Sequence, residues 1–362
     1  MTFPRPIEII GGGLAGLSLG LALRRAGVTV TIFEAGHYPR HRVCGEFITG
    51  LSDATITTLG LAPYFSDALH HREVAWFIGS DATAKPTRIQ RLPSSALGPS
   101  RHALDHRLAT AFTAAGGVLL ANTRFPETDA ASSSVPGRVF TTGRRRSRSP
   151  WLGLKIHARN VTLTRDLELH LGDHAYVGLA RVEDGSVNVS GLFRRRVLLA
   201  KGANLLLGYL QAAGLTSLAA RLATSELVAD SFCAVAAVSF DRRVIAPLPG
   251  RMCLGDTCAM IPPFTGNGMA MAFQSAETAL PPLLAYARGT AAWSDTCEVI
   301  SGALRRRFRL RLASAAVLMS PLPSTGMSSA SATFAISSQL ACPVYIWVRV
   351  RACKASTRAP AS

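Results

Sequence analysis

Apolar positions along this chain follow two different rhythms. The first belongs to the opening residues, where IEII (7–10) is a short apolar run and GGGLAG a turn. Leu14 to Ala26 then reads as a helix of small and apolar residues stopped by Gly27, and VTVTIF (28–33) as a strand rich in β-branched residues. The order predicts a βαβ unit of roughly 30 residues. Residues 52–62 and 102–116 predict helices, and GVLLAN (117–122) a strand. The second rhythm is strict alternation. LGLKIHA, LELHL, YVGLARVE and VNVSGLF, between Trp151 and Phe193, predict short strands of an antiparallel sheet. A helical run at 198–223, a strand in RMCLGD and a helix in GNGMAMAFQSAETAL follow. Residues 127–137 are rich in Ser, Ala and Pro and predict a loop. Regular patterning fades after Leu312, and the Ser/Pro/Ala-rich 320–333 predicts a linker or disordered segment.

Composition narrows the class. The 362 residues are 48% apolar and 17% charged, a globular balance with room for two domains. The net charge is +17, carried almost wholly by arginine, since Lys85, Lys155, Lys201 and Lys354 are the only lysines. The clusters GRRRSRS (143–149), FRRR (193–196) and RRRFRLR (305–311) are scattered, with Phe193 and Phe308 the only aromatics in them rather than a regular interleaving. That argues against a single-strand stacking platform, so no specific nucleic acid is expected. Peripheral contact with an anionic membrane through the arginines stays open. Seven cysteines, an odd number with no CxxC, argue against a disulfide framework or a zinc site and for a reducing compartment. A cytoplasmic location is expected. No stretch reaches 18 uninterrupted apolar residues, and Glu8 with the strand that follows it reads as structure rather than as a signal peptide.

Two motifs carry chemistry. Gly11, Gly13 and Gly16 form G-x-G-x-x-G between strand and helix. The first allows the turn, the second admits a pyrophosphate, and the third lets helix pack on strand. The helix N-terminus faces the phosphates. Glu34 ends the next strand, 18 residues past Gly16, where a carboxylate can accept ribose hydroxyls. The second motif is CLGDTCAMIPPFTGNGMAMAFQSAE (253–277). Asp256 at a strand end can hold a polyol hydroxyl, and a helix beginning at Gly268, after the turn at Gly266, can aim its dipole at an electron-rich ring. No H-E-x-x-H, G-x-S-x-G or metal-ligand cluster occurs, and no metal is expected.

GGGLAG with Glu34, PRHRVCGEF (39–47), PSRHALDHRL (99–108) and GDTCAMIPPFTGNGMA (255–270), in that order, resemble the FAD-dependent oxidoreductases of the p-hydroxybenzoate-hydroxylase fold. Within them the chain looks most like the geranylgeranyl-reductase-like branch, over about residues 5–310. The resemblance implies an α/β fold: a Rossmann-like FAD-binding domain with an inserted antiparallel-sheet substrate domain. It implies a discontinuous FAD domain over 1–71, 100–149 and 246–300, a substrate domain over 72–99 and 150–245, and a C-terminal helix and tail over 301–362. Arg42 and Arg101 would contact FAD, and Cys44 and Glu46 would stand at the reacting edge of the flavin as catalytic residues. Asp105 reads as a helix-start acid.

The chain departs from the family at Thr142-Gly143-Arg144, where many relatives carry an Asp-Gly pair near FAD and NAD(P)H. NAD(P)H is the expected donor, with that departure leaving its identity open. No Trp-x-Trp pair supports halogenation. His157 and His170 read as structural, and Tyr176, Leu179 and Phe193 as core or as walls of a substrate tunnel. The expected activity is hydroxylation or reduction of an apolar, aromatic or isoprenoid-type small molecule. The alternatives are a degenerate flavoprotein with weak activity and a basic protein that binds nucleic acid or anionic membrane. Nothing in the sequence indicates an oligomeric state.

Overall fold

The computed structural model describes residues 3–78, 85–126, 135–144, 148–197, 200–238, 251–261 and 266–319, the last six by backbone alone. In chain order its elements are β1 (Ile7–Ile10), α1 (Leu14–Arg25), β2 (Val30–Phe33), α2 (Asp53–Leu59), β3 (Leu69–Ile78), β4 (Arg88–Gly98), α3 (Arg101–Ala114), β5 (Val118–Leu120), β6 (Arg138–Phe140), β7 (Trp151–Arg159), β8 (Leu167–Gly172), β9 (Ala175–Arg181), β10 (Val187–Arg194), α4 (Ala203–Ala212), α5 (Thr216–Ala223), β11 (Glu226–Ala236), β12 (Met252–Cys253), α6 (Gly268–Ala287) and α7 (Trp293–Met319).

Two sheets organise them. The first has the order β12-β6-β1-β2-β5, and every pairing is parallel. A parallel sheet needs cover on both faces, which explains why β1 is almost uniformly apolar. Helix α1 is buried from Leu14 to Leu23. It can lie that deep because its residues are small: a β-carbon on Gly20 would come within 2.8 Å of Ile32 and 3.1 Å of Phe112. The one hydroxyl buried there, on Ser18, donates to the Leu14 carbonyl at 2.6 Å, so no polar group is stranded.

The second sheet has the order β11-β7-β10-β9-β8-β3-β4. It is antiparallel except between β3 and β8, which run parallel from Val74↔Leu167 to Ile78↔Leu171. The alternating stretch between Trp151 and Phe193 forms strands β7 to β10 of this largely antiparallel sheet, as expected. Hairpins force antiparallel neighbours, whereas β3 and β8 are separated by α3 and two strands of the other sheet, a connection long enough for a parallel partner. One face of the sheet, with Leu154, Ile156, Val177, Leu179 and Val189, packs on Leu206, Leu210 and Leu218 of α4 and α5.

Other boundaries shift for local reasons. The helical run after 198 splits at Gly214, whose φ of +76° suits a turn rather than a helix. Strands β3, β4, β6 and β11 were not legible in the sequence. Helix α7 continues to Met319, beyond Leu312, despite its many arginines. Leu304 and Phe308 are buried. Arg307 and Arg311 bond back to Glu277 and Gln274 of α6 at 2.7 and 2.8 Å. The Ser/Pro-rich segment at 320–333, like most of the loop at 127–137, lies outside the described residues. No described helix is long and apolar enough to cross a membrane.

Candidate active site

A cavity of about 670 Å³ lies between the two sheets. Its size is within the ~300–1,000 Å³ usual for small-molecule sites. The first sheet contributes the turn after β1, the end of β2, the loop 40–47, the start of α3, the turn at Gly255-Asp256 and the start of α6. The second sheet contributes an apolar wall.

The glycine turn is shaped for close approach. Gly11 has φ +113°, and a β-carbon there would lie 2.4 Å from the Thr141 carbonyl oxygen. One on Gly16 would lie 2.1 Å from the Gly11 carbonyl oxygen. Gly13 is different: it lines the cavity with nothing within 4 Å of where its β-carbon would stand. Open space therefore lies directly before the N-terminus of α1, whose unpaired N–H groups and positive dipole end suit a phosphate. The neighbouring Gly12, which the motif leaves unassigned, is pinned by the Tyr38 hydroxyl donating to its carbonyl.

Glu34 is buried at the mouth of this turn. Its Oε2 accepts from the Gly12 N–H at 2.8 Å, and its Oε1 accepts from the Gly36 N–H at 2.8 Å and from Arg40 Nη2 at 2.7 Å. Arg42 lies beyond it, with Nη2 3.8 Å from Glu34 Oε2. That Nη2 is buried without a hydrogen-bond partner beside the cavity.

Asp105 is where one sequence reading needs correcting. It is no helix-start acid: Ser100 caps α3, accepting from the Ala103 N–H. Asp105 lies a turn further on, wholly buried, and binds two arginines. Oδ2 accepts from Arg42 Nε at 2.8 Å, and Oδ1 accepts from Arg101 Nε at 2.7 Å. The two arginines expected at a cofactor are thus aimed by one carboxylate. The i,i+4 spacing of Arg101 and Asp105 was the available signal.

On the far side, Asp256 projects into the cavity from a short 3-10 turn. It is accessible through the open cavity yet surrounded by protein, and desolvation pushes its carboxyl up to about 6 against the charges of Arg101 and Arg144. Gly266 has φ +64° and its carbonyl accepts from the Thr49 N–H at 3.1 Å. Gly268 and Met269 open α6 onto the cavity. Pro262 and Pro263 lie outside the described residues. Arg144 is tied to the Ala236 and Ala237 carbonyls at 3.2 and 3.1 Å.

The loop 44–47 separates the two residues that the sequence placed together. Cys44, Gly45 and Phe47 line the cavity, and Glu46 does not. Glu46 has φ +51°, a left-handed conformation uncommon outside glycine, and that twist turns its side chain into the protein. There its Oε2 meets His157 Nε2 at 2.6 Å and its Oε1 lies 3.5 Å from Lys155 Nζ and accepts from the Arg101 N–H at 3.0 Å. Burial alone would raise the Glu46 carboxyl, but the His157 bond and the Lys155 charge overcome it and hold the group below its ordinary range. Cys44 is pushed up, chiefly by burial, so it is a thiol and not a thiolate at neutral pH. Its carbonyl accepts from Asn188 Nδ2 at 3.0 Å.

His41, Glu46 and His157 bring ligand atoms within 4.8 Å of one another, a spacing that a metal ion could bridge. Lys155 already supplies the positive charge there, with Nζ 2.9 Å from His41 Nδ1. The signal that sequence reasoning missed is strand parity. Lys155 and His157 share a face with Ser190 and Asn188 on the neighbouring strand, each pair in register, so four polar residues in phase point at the other sheet. The same parity separates the three candidate wall residues. Tyr176 lines the cavity, while Leu179 and Phe193 are core on the opposite face. His170 is structural: it stacks on Phe77 at 4.2 Å and meets Glu168 at 3.0 Å.

Comparison with known proteins agrees with this architecture. Residues 9–44 match the NAD(P)-binding Rossmann-like domain family. The chain is 25% identical over 134 residues to the menaquinone reductase of Mycolicibacterium smegmatis, a match covering 37% of this chain and 32% of that protein. It thus spans about a third of the length of the curated relative it matches. Among solved structures, PqsL of Pseudomonas aeruginosa, described as a probable FAD-dependent monooxygenase, superposes with a TM-score of 0.64 at 15% identity, over 86% of this chain and 95% of that one. A geranylgeranyl bacteriochlorophyll reductase-like protein of Thermoplasma acidophilum gives 0.64 at 16% identity, over 86% of both chains. The halogenase PltM gives 0.68 at 15% identity, over 87% of this chain and 75% of that one. The fold is that of the flavin-dependent monooxygenases, halogenases and reductase-like proteins.

Proposed function

We propose that this chain is an FAD-dependent oxidoreductase, reduced by NAD(P)H, that acts on an apolar small molecule of aromatic or isoprenoid type. The observation that carries the proposal is convergence. The N-termini of α1 and α6, the Glu34 carboxylate and the Arg42 guanidinium all border one cavity, to which the second sheet adds Leu167, Leu169, Tyr176 and Leu192 as an apolar stretch of wall.

The residues fit FAD in detail. Gly13 leaves room before α1 for the pyrophosphate, and Arg42 has a buried donor to spare for it. Glu34 would exchange some of its present partners for ribose hydroxyls. Asp256 would take a ribityl hydroxyl, where its raised carboxyl stops being a cost once it is hydrogen-bonded. The start of α6 would face the pyrimidine edge of the ring. Bound there, FAD would supply two-electron redox chemistry, accepting a hydride from a nicotinamide donor and delivering two electrons to an organic acceptor or to dioxygen. The chain's own contribution is placement and proton handling. Leu167, Leu169, Tyr176 and Leu192 form a water-excluding wall for the substrate. Cys44 holds its proton on Sγ. Glu46 serves as a positioning residue through Lys155 and His157 rather than as an acid at the ring.

The sequence similarity to a menaquinone reductase favours reduction; the fold shared with PqsL keeps hydroxylation as the second reading. The visible spectrum of the purified protein tests both. Flavin absorption that bleaches when NADPH is added without air is the expected result. Re-admitting air with candidate substrates then separates oxygen-dependent from oxygen-independent product. A colourless protein that takes up no added FAD would overturn the proposal.

A further inference from the structure

The buried cluster behind the cavity has one outlet. His41 lines the cavity, stacks on His102 at 4.4 Å between ring centroids, and meets His157 edge-on at 5.1 Å. Its Nδ1 is 2.9 Å from Lys155 Nζ. An ammonium group has donors and no acceptor, so Nδ1 must accept and the ring proton must sit on Nε2. Nε2 has no hydrogen-bond partner among the described residues and is the nitrogen left for a ligand.

The surroundings keep that state in place. The charged and titratable groups around His41 are Lys155, His102, His157 and Glu46. Burial first, then the Lys155 charge, brings the imidazole down to about 4, so it is neutral at physiological pH. The Lys155 side chain is wholly buried, and its partner Glu46 is likewise buried. Desolvation lowers the Lys155 ammonium from its ordinary value, easing release of its proton.

We infer that Lys155 fixes His41 as a neutral Nε2–H donor toward the cavity, and that the substrate carries an oxygen conjugated to its reacting carbon, of the quinone or enone class, which His41 meets. The step balances. A hydride, which FAD reduced by NAD(P)H would supply, adds to the conjugated carbon as its C=C or C=O π bond opens, and as the electron pair moves onto that oxygen an O–H bond forms and the His41 Nε2–H bond breaks. Lys155 gives a proton to Nδ1 in the same event. The imidazole changes tautomer without changing charge, the ammonium becomes an amine, and the negative charge on oxygen is cancelled. The role in turnover rests on the flavoenzyme reading above; the tautomer does not. Lys155 is then a positioning and proton-holding residue, and His41 the group that touches substrate.

Long-range ¹H–¹⁵N correlation on protein labelled at histidine tests the tautomer in the unloaded chain, with His41 assigned by its loss in His41→Leu. The expected result is a single Nε2–H form at neutral pH that stays neutral well below the ordinary histidine range. Lys155→Met should give mixed tautomers and a His41 titration that moves up toward the ordinary value, while Lys155→Arg keeps the wild-type signature. An Nδ1–H form or an imidazolium in the wild type would overturn the inference, whether or not the protein binds FAD. For the substrate class, the FAD-loaded protein is titrated with 2-methyl-1,4-naphthoquinone and with 2-methylnaphthalene. A preference for the quinone of up to roughly tenfold, the worth of one hydrogen bond, is expected and should vanish in His41→Leu. Equal binding of the two by the wild type would remove the conjugated oxygen from the proposal.

Discussion

Arg42 and Asp105 are 63 residues apart in the chain, yet Arg42 Nε meets Asp105 Oδ2 at 2.8 Å. The same carboxylate holds Arg101, so one buried acid aims two basic side chains at the cavity. Asp105→Asn would leave two guanidinium groups short of a countercharge. Breaking a buried pair of this kind costs about 3–5 kcal/mol. The variant is expected to lose stability on that scale in urea unfolding and to bind FAD more weakly in a fluorescence titration. Retention of both would show that the arginines are oriented by something else.

The glycines of the first turn are expected to respond differently to alanine. At Gly13 a methyl group meets nothing in the chain itself. Gly13→Ala should fold with near wild-type stability and fail at cofactor binding. At Gly11 the backbone is left-handed and Thr141 is in the way, so Gly11→Ala should lose stability as well. Thermal melts without FAD, followed by FAD titration, separate the two cases. An equal loss of stability in both would contradict the reading of the open space before α1.

Acid sensitivity should centre on Glu168. Burial would raise its carboxyl, but His170 and Arg221 more than offset this and hold it down at about 2. A depressed carboxyl contributes stability that is fully present above its unfolded value near 4.5 and is lost as pH falls through about 2. A shift of this size corresponds to a contribution on the order of 3 kcal/mol. Glu168→Gln should be less stable at neutral pH and lose less on acidification, as measured by urea midpoints from pH 6 downward. A wild-type acid limb in the variant would point to other carboxylates.

Neighbouring strand positions should also differ in kind. Leu179→Ala removes core beneath α4 and α5 and is expected to cost about 2–5 kcal/mol. Tyr176→Ala, three positions earlier and on the cavity face, should cost less stability and instead change which apolar molecules the FAD-loaded protein binds. A substrate-analogue panel measured beside denaturant unfolding checks both.

What the sequence determined by itself was local. A glycine turn between an apolar run and a helix, with an acid ending the next strand, can form only one compact βαβ arrangement, and Gly11, Gly13, Gly16 and Glu34 stand there as their spacing implies. The alternating run after Trp151 likewise folds into strands, because period-2 burial leaves no other regular choice. The tertiary structure decided everything that depends on one element facing another. It turned Glu46 away from Cys44 and the cavity through the left-handed conformation of Glu46 itself. It made Asp105 a shared anchor for Arg42 and Arg101. It brought His41, in the loop after β2, against Lys155 and His157 of β7. Burial and charge pairing across a sheet interface are properties of the packed pair, and neither strand's sequence carries them alone.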